Sequence, residues 1–117
     1  MSGSLVHFEL PSQDNERARG FWGGVFGWSF NDPGMGMEYW MARTGENQGG
    51  AIFTGDSPGV IIYFDTDDID ASIARIQELG GTAGDKMPIP QVGWFARCVD
   101  TEGNAFSLFE SDETVSA

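Results

Sequence analysis

Apolar and polar residues alternate, or recur at helical spacing, in an order that repeats along the chain. Alternating or continuous apolar segments predict strands, and apolar residues three or four positions apart predict helices. In the first half the order is one strand, one helix and three short strands, over residues 5–10, 15–25, 28–30, 38–43 and 50–54. In the second half the same order recurs over residues 59–64, about 69–79, a weak strand near 82, 92–99 and 105–109. Breaks rich in Gly, Asn, Asp and Pro separate these strands, and Pro88 and Pro90 mark one predicted loop.

The two predicted helices carry different local signals. Asp67 or Asp68 can cap the start of the second helix, and Gly80-Gly81 permits the left-handed turn that ends it. The apolar stripe of this helix consists of Ile69, Ile73, Ile76 and Leu79. The first helix contains three glycines, which lower helix propensity, so tertiary packing has to hold it. Its predicted buried side consists of Ala18, Phe21, Trp22 and Val25.

A short repeat supports the division into halves. The string WMAR at 40–43 returns as WFAR at 94–97, so an offset of 54 relates the two strings. The same offset places Asp14 on Asp68, and it also relates Val6 to Val60, Gly27 to Gly81 and Gly49 to Gly103. We interpret residues 1–117 as a single domain of two βαβββ modules, module one at about 1–57 and module two at about 58–117. Trp40 and Trp94 then occupy the same strand of each module, at matching core or sheet positions.

Composition and charge narrow the functional classes. The net charge is −12 with only six Lys and Arg residues, and these are scattered, which argues against nucleic acid and anionic membrane surfaces as partners. No basic segment followed by a long apolar run begins the chain, and the apolar run at 60–64 is too short to span a bilayer. We therefore expect a soluble cytoplasmic protein. The single cysteine, Cys98, is expected to be a buried and inert thiol.

Several stretches resemble the vicinal oxygen chelate superfamily, which includes glyoxalase I, bleomycin-resistance proteins and extradiol dioxygenases. They are HFEL at 7–10, Asp14, FWGGVFGW at 21–28, GGAI at 49–52, ELGG at 78–81, VGWFA at 92–96 and DTEGNAFSLFE at 100–110. The nearest general match is the small glyoxalase-like branch. The resemblance implies an α+β fold of two tandem βαβββ modules that form a curved mixed sheet. It also implies a homodimer and a cup in which metal-dependent members place four ligands.

Those four ligand positions can be examined one by one in this sequence. The resemblance places the first on His7, and the spacing from the segment at 100–104 places the last on Ser107. The offset of 54 then gives Phe53 and Ile61 for the other two positions. Apolar side chains do not bind metals and serine is a poor ligand, so His7 is the only matching position. We expect no metal site and no cofactor; a divalent metal, bound through a His7–Glu9 pair with outside ligands, is the disfavoured alternative.

The predicted cup-facing residues suggest a pocket for a small apolar or aromatic molecule. His7 and Glu9 are the candidate acid/base residues, although His7 could equally be a hydrogen-bonded strand residue without chemistry. The candidate ligand-binding residues are Phe53, Ile61, Tyr63, Trp94, Ser107 and Phe109. Binding without the usual metal site is the predicted function. The alternative is a metal-dependent or His7-dependent lyase, isomerase or dioxygenase of the same superfamily, and a structural or regulatory subunit is a third interpretation.

Overall fold

The computed structural model describes residues 3–34, 36–46 and 48–116. The pattern of contacts between Cα atoms groups these residues into two compact units. The first unit is Val6–Ile61, and the second contains residues 62–116 together with residues 3–5, so the division falls one residue inside the first strand of each half. Each unit holds one helix and a set of mixed strands, so the predicted α+β class with two βαβββ modules is confirmed. No helix within the described ranges is long and apolar enough to cross a bilayer.

The first unit contains one helix and four strands. In chain order these are β1 (Leu5–Ser12), α1 (Asn15–Phe26), β2 (Phe30–Asn31), β3 (Tyr39–Gly45) and β4 (Gln48–Thr54). The strands lie in the order β2-β3-β4-β1. β1 runs parallel to β4, while β3 is antiparallel to both of its neighbours, which makes the sheet mixed. The parallel pair is possible because α1 carries the chain across the sheet between β1 and the later strands.

The second unit repeats this arrangement with one additional strand. Its elements are β5 (Ile61–Asp65), α2 (Ile69–Glu78), β6 (Thr82–Ala83), β7 (Met87–Ile89), β8 (Gly93–Val99) and β9 (Ala105–Ser111). The order is β5-β9-β8-β6, and β7 also pairs with β8. The loop predicted around Pro88 was wrong in part, because Pro88 lies in β7 opposite Trp94. Proline is tolerated there because β7 is an edge strand, in which one side of the backbone needs no ladder partner.

Both helices begin at the same local motif. The Asp14 carboxylate accepts a hydrogen bond from the Arg17 amide at 3.0 Å, and the Asp68 carboxylate accepts one from the Ala71 amide at 3.1 Å. Asp68, rather than Asp67, is therefore the cap of α2. In addition, the cap amides themselves donate to hydroxyls two residues earlier, on Ser12 and Thr66. The strand-to-helix junction thus repeats at the offset of 54.

The buried faces of the helices differ from the predicted ones at three positions. Phe21 and Val25 of α1 are 61% and 56% exposed, and Leu79, just after α2, is 60% exposed. The inward row of α1 runs instead through Asn15, Ala18, Trp22 and Gly23. An added Cβ at Gly23 would lie 3.1 Å from the Trp28 carbonyl oxygen, so this glycine permits close backbone packing. Leu79 is exposed because α2 ends at Glu78 and Gly80 takes a left-handed conformation.

The core of the second unit lies between α2 and its sheet. Ile69, Ala96, Cys98 and Leu108 are buried together, and Ile73, Ile76, Ala83, Trp94 and Phe106 pack around them. Burial raises the pKa of the Cys98 thiol, because the charged thiolate loses its hydration. The expectation of a buried thiol is met in the structure, and a raised pKa disfavours reactivity.

The strand pairings of the two units are out of step by two positions. Glu9 pairs with Ala51 in the first unit, whereas Tyr63, the counterpart of Glu9 at the offset of 54, pairs with Ser107. Ala51 and Ser107 are related by an offset of 56, so Ala51 rather than Phe53 is the first-unit counterpart of Ser107 in the sheet. The WxAR strings do lie on the same strand of each unit, β3 and β8, as predicted. Within these strands, however, the residues that match at the offset of 54 differ by two positions in how they pair with the neighbouring strand.

Candidate functional site

The strands of the first unit turn alternate side chains towards α1 and away from it. Phe8 packs against Trp28, which in turn stacks on Trp22 of α1 with ring centroids 5.5 Å apart. Trp40 lies under the Arg19 guanidinium of α1, 3.9 Å from its ring centroid. The intervening residues of these strands therefore face away from the helix. That face carries His7 and Glu9 of β1, Tyr39 of β3 and Phe53 of β4.

A hydrogen-bonded chain joins His7, Tyr39 and Glu9 on this face. The Nε2 atom of His7 lies 2.7 Å from the Tyr39 hydroxyl oxygen. The Tyr39 hydroxyl in turn donates to Oε2 of Glu9, also at 2.7 Å. The imidazole and phenol rings are nearly parallel, with centroids 6.3 Å apart. Glu9 is only 7% exposed, so its carboxylate is held by protein groups rather than by bulk water.

The environment of His7 favours the neutral imidazole. Burial lowers the pKa of His7 from its usual 6.5, and the nearby negative charge of Glu9 opposes this shift only in part. Near neutral pH the ring is therefore uncharged, and it can both donate and accept a hydrogen bond. A neutral histidine in contact with a tyrosine and a carboxylate can bind a polar ligand group or accept a proton from one.

Tyr39 is the site residue that the sequence prediction missed. It stands next to Trp40, whose match with Trp94 marks the repeat, whereas Tyr39 has no matching tyrosine at the offset of 54. The alternation of strand side chains could have found it, because Trp40 faces the helix and its neighbour must then face the other way. Tyr39 pairs with Phe53 across β3 and β4, so these two side chains lie on one face.

The second unit gathers a different set of predicted residues on the face away from α2. Nη1 of Arg97 donates to the Ser107 hydroxyl at 3.0 Å. The Arg97 guanidinium also lies 5.5 Å from the Tyr63 ring and 5.4 Å from the Phe95 ring. Phe109 pairs with Phe95 and shares this face. The result is a cation held between aromatic rings and hydrogen-bonded to a serine that is fully buried.

The other two predicted ligand-binding residues lie in different settings. Ile61 begins β5 two positions before Tyr63, so its side chain points to the same side of that strand. Trp94 instead packs on the α2 side against the buried core. Its indole donates to Asp112 at 3.4 Å, and the Lys86 ammonium lies 4.5 Å from its ring. The structure therefore does not bring Trp94 to the face that carries Tyr63.

The donor set does not fit the usual four-ligand metal site of this fold. His7 and Glu9 already share the Tyr39 hydroxyl, and Ala51, opposite Glu9, offers no donor side chain. In the second unit the Ser107 hydroxyl accepts from a guanidinium, whose positive charge opposes a cation there. Among the described residues no group of three or more His, Cys, Asp or Glu side chains is placed to hold a metal ion. The expectation of no cofactor remains a prediction.

Known proteins with similar sequences are named as glyoxylases. The family described as bleomycin resistance protein-like N-terminal matches residues 4–45. CFP32 of Mycobacterium bovis, named as a suspected glyoxylase, is 29% identical over 116 residues, and these cover 93% of this chain. The chain spans only 44% of the length of CFP32. A glyoxylase-like domain-containing protein of Didymella fabae is 28% identical over 120 residues, which cover 92% of this chain and 94% of that protein.

Solved structures share the fold. A hypothetical protein from Bacillus halodurans C-125 matches with a TM-score of 0.76 at 14% identity, over 98% of this chain and 99% of that one. The fold, the matched N-terminal segment and the sequence relatives all point the same way as the motifs. In sequence and in fold, this chain is similar to glyoxalase-like proteins of the vicinal oxygen chelate superfamily, the group of glyoxalases, bleomycin-resistance proteins and extradiol dioxygenases.

Proposed function

We propose that this protein binds a small molecule with an apolar or aromatic body through the face of the first unit that carries His7. The observation that supports this most directly is the hydrogen-bonded chain of His7, Tyr39 and Glu9. A few fixed polar groups beside apolar surface are typical of small-ligand sites. Here Phe53, paired with Tyr39, supplies an aromatic surface next to the polar groups.

The chemistry of the donor set supports the proposal of ligand recognition without a metal. Ile61 and Ala51 offer only apolar side chains where a metal would need donors, and the Ser107 hydroxyl serves Arg97. An apolar ligand gains from apolar surface because its own apolar area leaves water, at about 25 cal/mol per Å². The second unit carries aromatic surface of its own, where Tyr63 packs on Phe95. A homodimer and a cytoplasmic location are further proposals, based on resemblance and composition.

The binding experiment compares wild-type protein with His7→Ala across a panel of small phenols, aryl ethers and aliphatic ketones. Tryptophan fluorescence and thermal shift report saturable binding, since a ligand that binds only the folded protein raises its stability. Thr101→Ala, in the exposed turn before β9, is the control and should bind as the wild type does. We expect His7→Ala to weaken binding by at least about tenfold. Saturable binding that His7→Ala leaves unchanged would contradict the proposed site.

An enzyme is the second candidate, because His7 is held neutral by burial and could take a proton from a bound substrate. Turnover of a bound compound that disappears in His7→Ala, while the variant remains folded, would favour this candidate. The metal-dependent version is tested by titrating chelator-stripped protein with nickel, zinc, manganese and iron. Metal bound at one equivalent, and lost in His7→Ala, would overturn the metal-free proposal and direct assays to lyase and dioxygenase chemistry.

A further inference from the structure

We infer that Tyr39 and Glu9 fix His7 as the tautomer with its proton on Nε2, which leaves the lone pair of the ring on Nδ1. The tautomer itself is a property of the protein and can be tested without any ligand.

The first step is the proton count on Tyr39. A phenolic hydroxyl has one proton to donate and lone pairs with which to accept. An ionised carboxylate can only accept, so the 2.7 Å contact between Tyr39 and Glu9 uses the hydroxyl proton. The Tyr39 oxygen must then accept in its contact with Nε2 of His7, also at 2.7 Å. Nε2 of His7 therefore carries a proton.

The second step is the charge of the ring. Burial favours the neutral imidazole, which has one N–H group only. With that proton on Nε2, the lone pair lies on Nδ1. Any group that hydrogen-bonds to Nδ1, whether from the protein or from a ligand, has to be a donor. A carbonyl or an ether oxygen in that position would face a lone pair and gain no hydrogen bond.

The same reasoning explains why the donor set does not suit a metal at Nε2. A metal binds the lone pair of a neutral imidazole nitrogen. The Tyr39–Glu9 pair keeps a proton on Nε2, so metallation there would also break the bond with the Tyr39 hydroxyl. Tyr39 is thus a positioning residue: it sets the tautomer of His7 through a hydrogen bond that Glu9 orients, in the way that outer partners orient ligating or catalytic histidines.

The test uses the fact that His7 is the only histidine in the sequence. Nitrogen-15 NMR of uniformly labelled protein at pH 7.5 therefore reports its two ring nitrogens without ambiguity. We expect one protonated nitrogen, assigned to Nε2, and one unprotonated nitrogen, assigned to Nδ1. In Tyr39→Phe and in Glu9→Gln we expect the two shifts to move towards the averaged values of mixed tautomers. Glu38→Gln, the same change at an exposed neighbouring position, should leave both shifts as in the wild type.

Two NMR outcomes would overturn the assignment. One is a proton on Nδ1 in the wild type, which would mean that Glu9 donates and the chain runs in the opposite direction. The other is an unchanged spectrum in Tyr39→Phe.

Discussion

Replacement of Tyr39 by phenylalanine tests the structural importance of the His7–Tyr39–Glu9 chain. The ring is retained, so the substitution removes one hydroxyl and leaves the apolar packing in place. Two contacts are lost at once, each 2.7 Å long: one to Oε2 of Glu9 and one to Nε2 of His7. Glu9 is almost completely buried, so water can replace the hydroxyl only poorly.

The magnitude follows from the two hydrogen bonds. A hydrogen bond to a charged group contributes about 1.5–3 kcal/mol, and one between neutral groups about 0.5–1.5 kcal/mol. Tyr39→Phe should therefore lower the free energy of unfolding by about 3 kcal/mol, which is a large part of the ~5–15 kcal/mol typical of a domain. For a chain of this size the melting temperature should fall by roughly 12 °C.

The assay is a double-mutant cycle of Tyr39→Phe and Glu9→Gln, in which urea unfolding gives the free energy of unfolding of each variant. If the two side chains interact as described, the double variant should be more stable than the sum of the single effects predicts, by about 1–2 kcal/mol. A parallel cycle with Glu38→Gln, whose carboxylate contacts the Trp40 indole, supplies the control. A coupling below about 0.5 kcal/mol between Tyr39 and Glu9, the range seen for independent sites, would refute the reasoning.

Three further predictions concern pH and close packing. Folding lowers the pKa of His7, so the contribution of His7 to stability is complete above pH 6.5 and is lost as pH falls through the folded-state value. The urea midpoint should therefore fall more between pH 7.5 and pH 5.0 in the wild type than in His7→Gln. Gly93→Ala should destabilise by at least about 2 kcal/mol in urea unfolding, since a Cβ there would clash with the backbone carbonyl of Glu110. Gly24→Ala, where an added Cβ meets no atom within 4 Å, should instead stabilise by about 1 kcal/mol in the same assay.

The fold was predictable because local signals and the repeat agreed. Asp14 and Asp68 begin their helices as cap residues, and Gly80 ends the second with a left-handed turn. The exposed positions of α1 were not predictable in the same way. Its aromatic residues occur on more than one side of the helix, so periodicity alone does not say that Trp22 lies inward while Phe21 is exposed.

The site was predictable in its first-strand residues only. His7 and Glu9 are two positions apart on one strand, so their shared face follows from strand geometry. Tyr39 comes from a different strand, which lies beyond the first helix in the chain. Its approach to His7 depends on the order and pairing of the strands, which sequence identities at an offset of 54 do not report. The same identities indicate Phe53 as the first-unit counterpart of Ser107. The observed pairing of Ser107 with Tyr63 makes Ala51 the counterpart of Ser107 instead.

The two-position difference in pairing has a consequence for protein design. Ser12 and Thr66, at the strand-to-helix junctions, obey the offset of 54, while Ala51 and Ser107 obey an offset of 56. A symmetric protein of two identical halves therefore cannot be designed by averaging the two halves of this chain position by position at a single offset. The two additional residues after the second junction would have to be kept or removed in both copies. Only then would the last strand of each copy pair with the first strand in one common register.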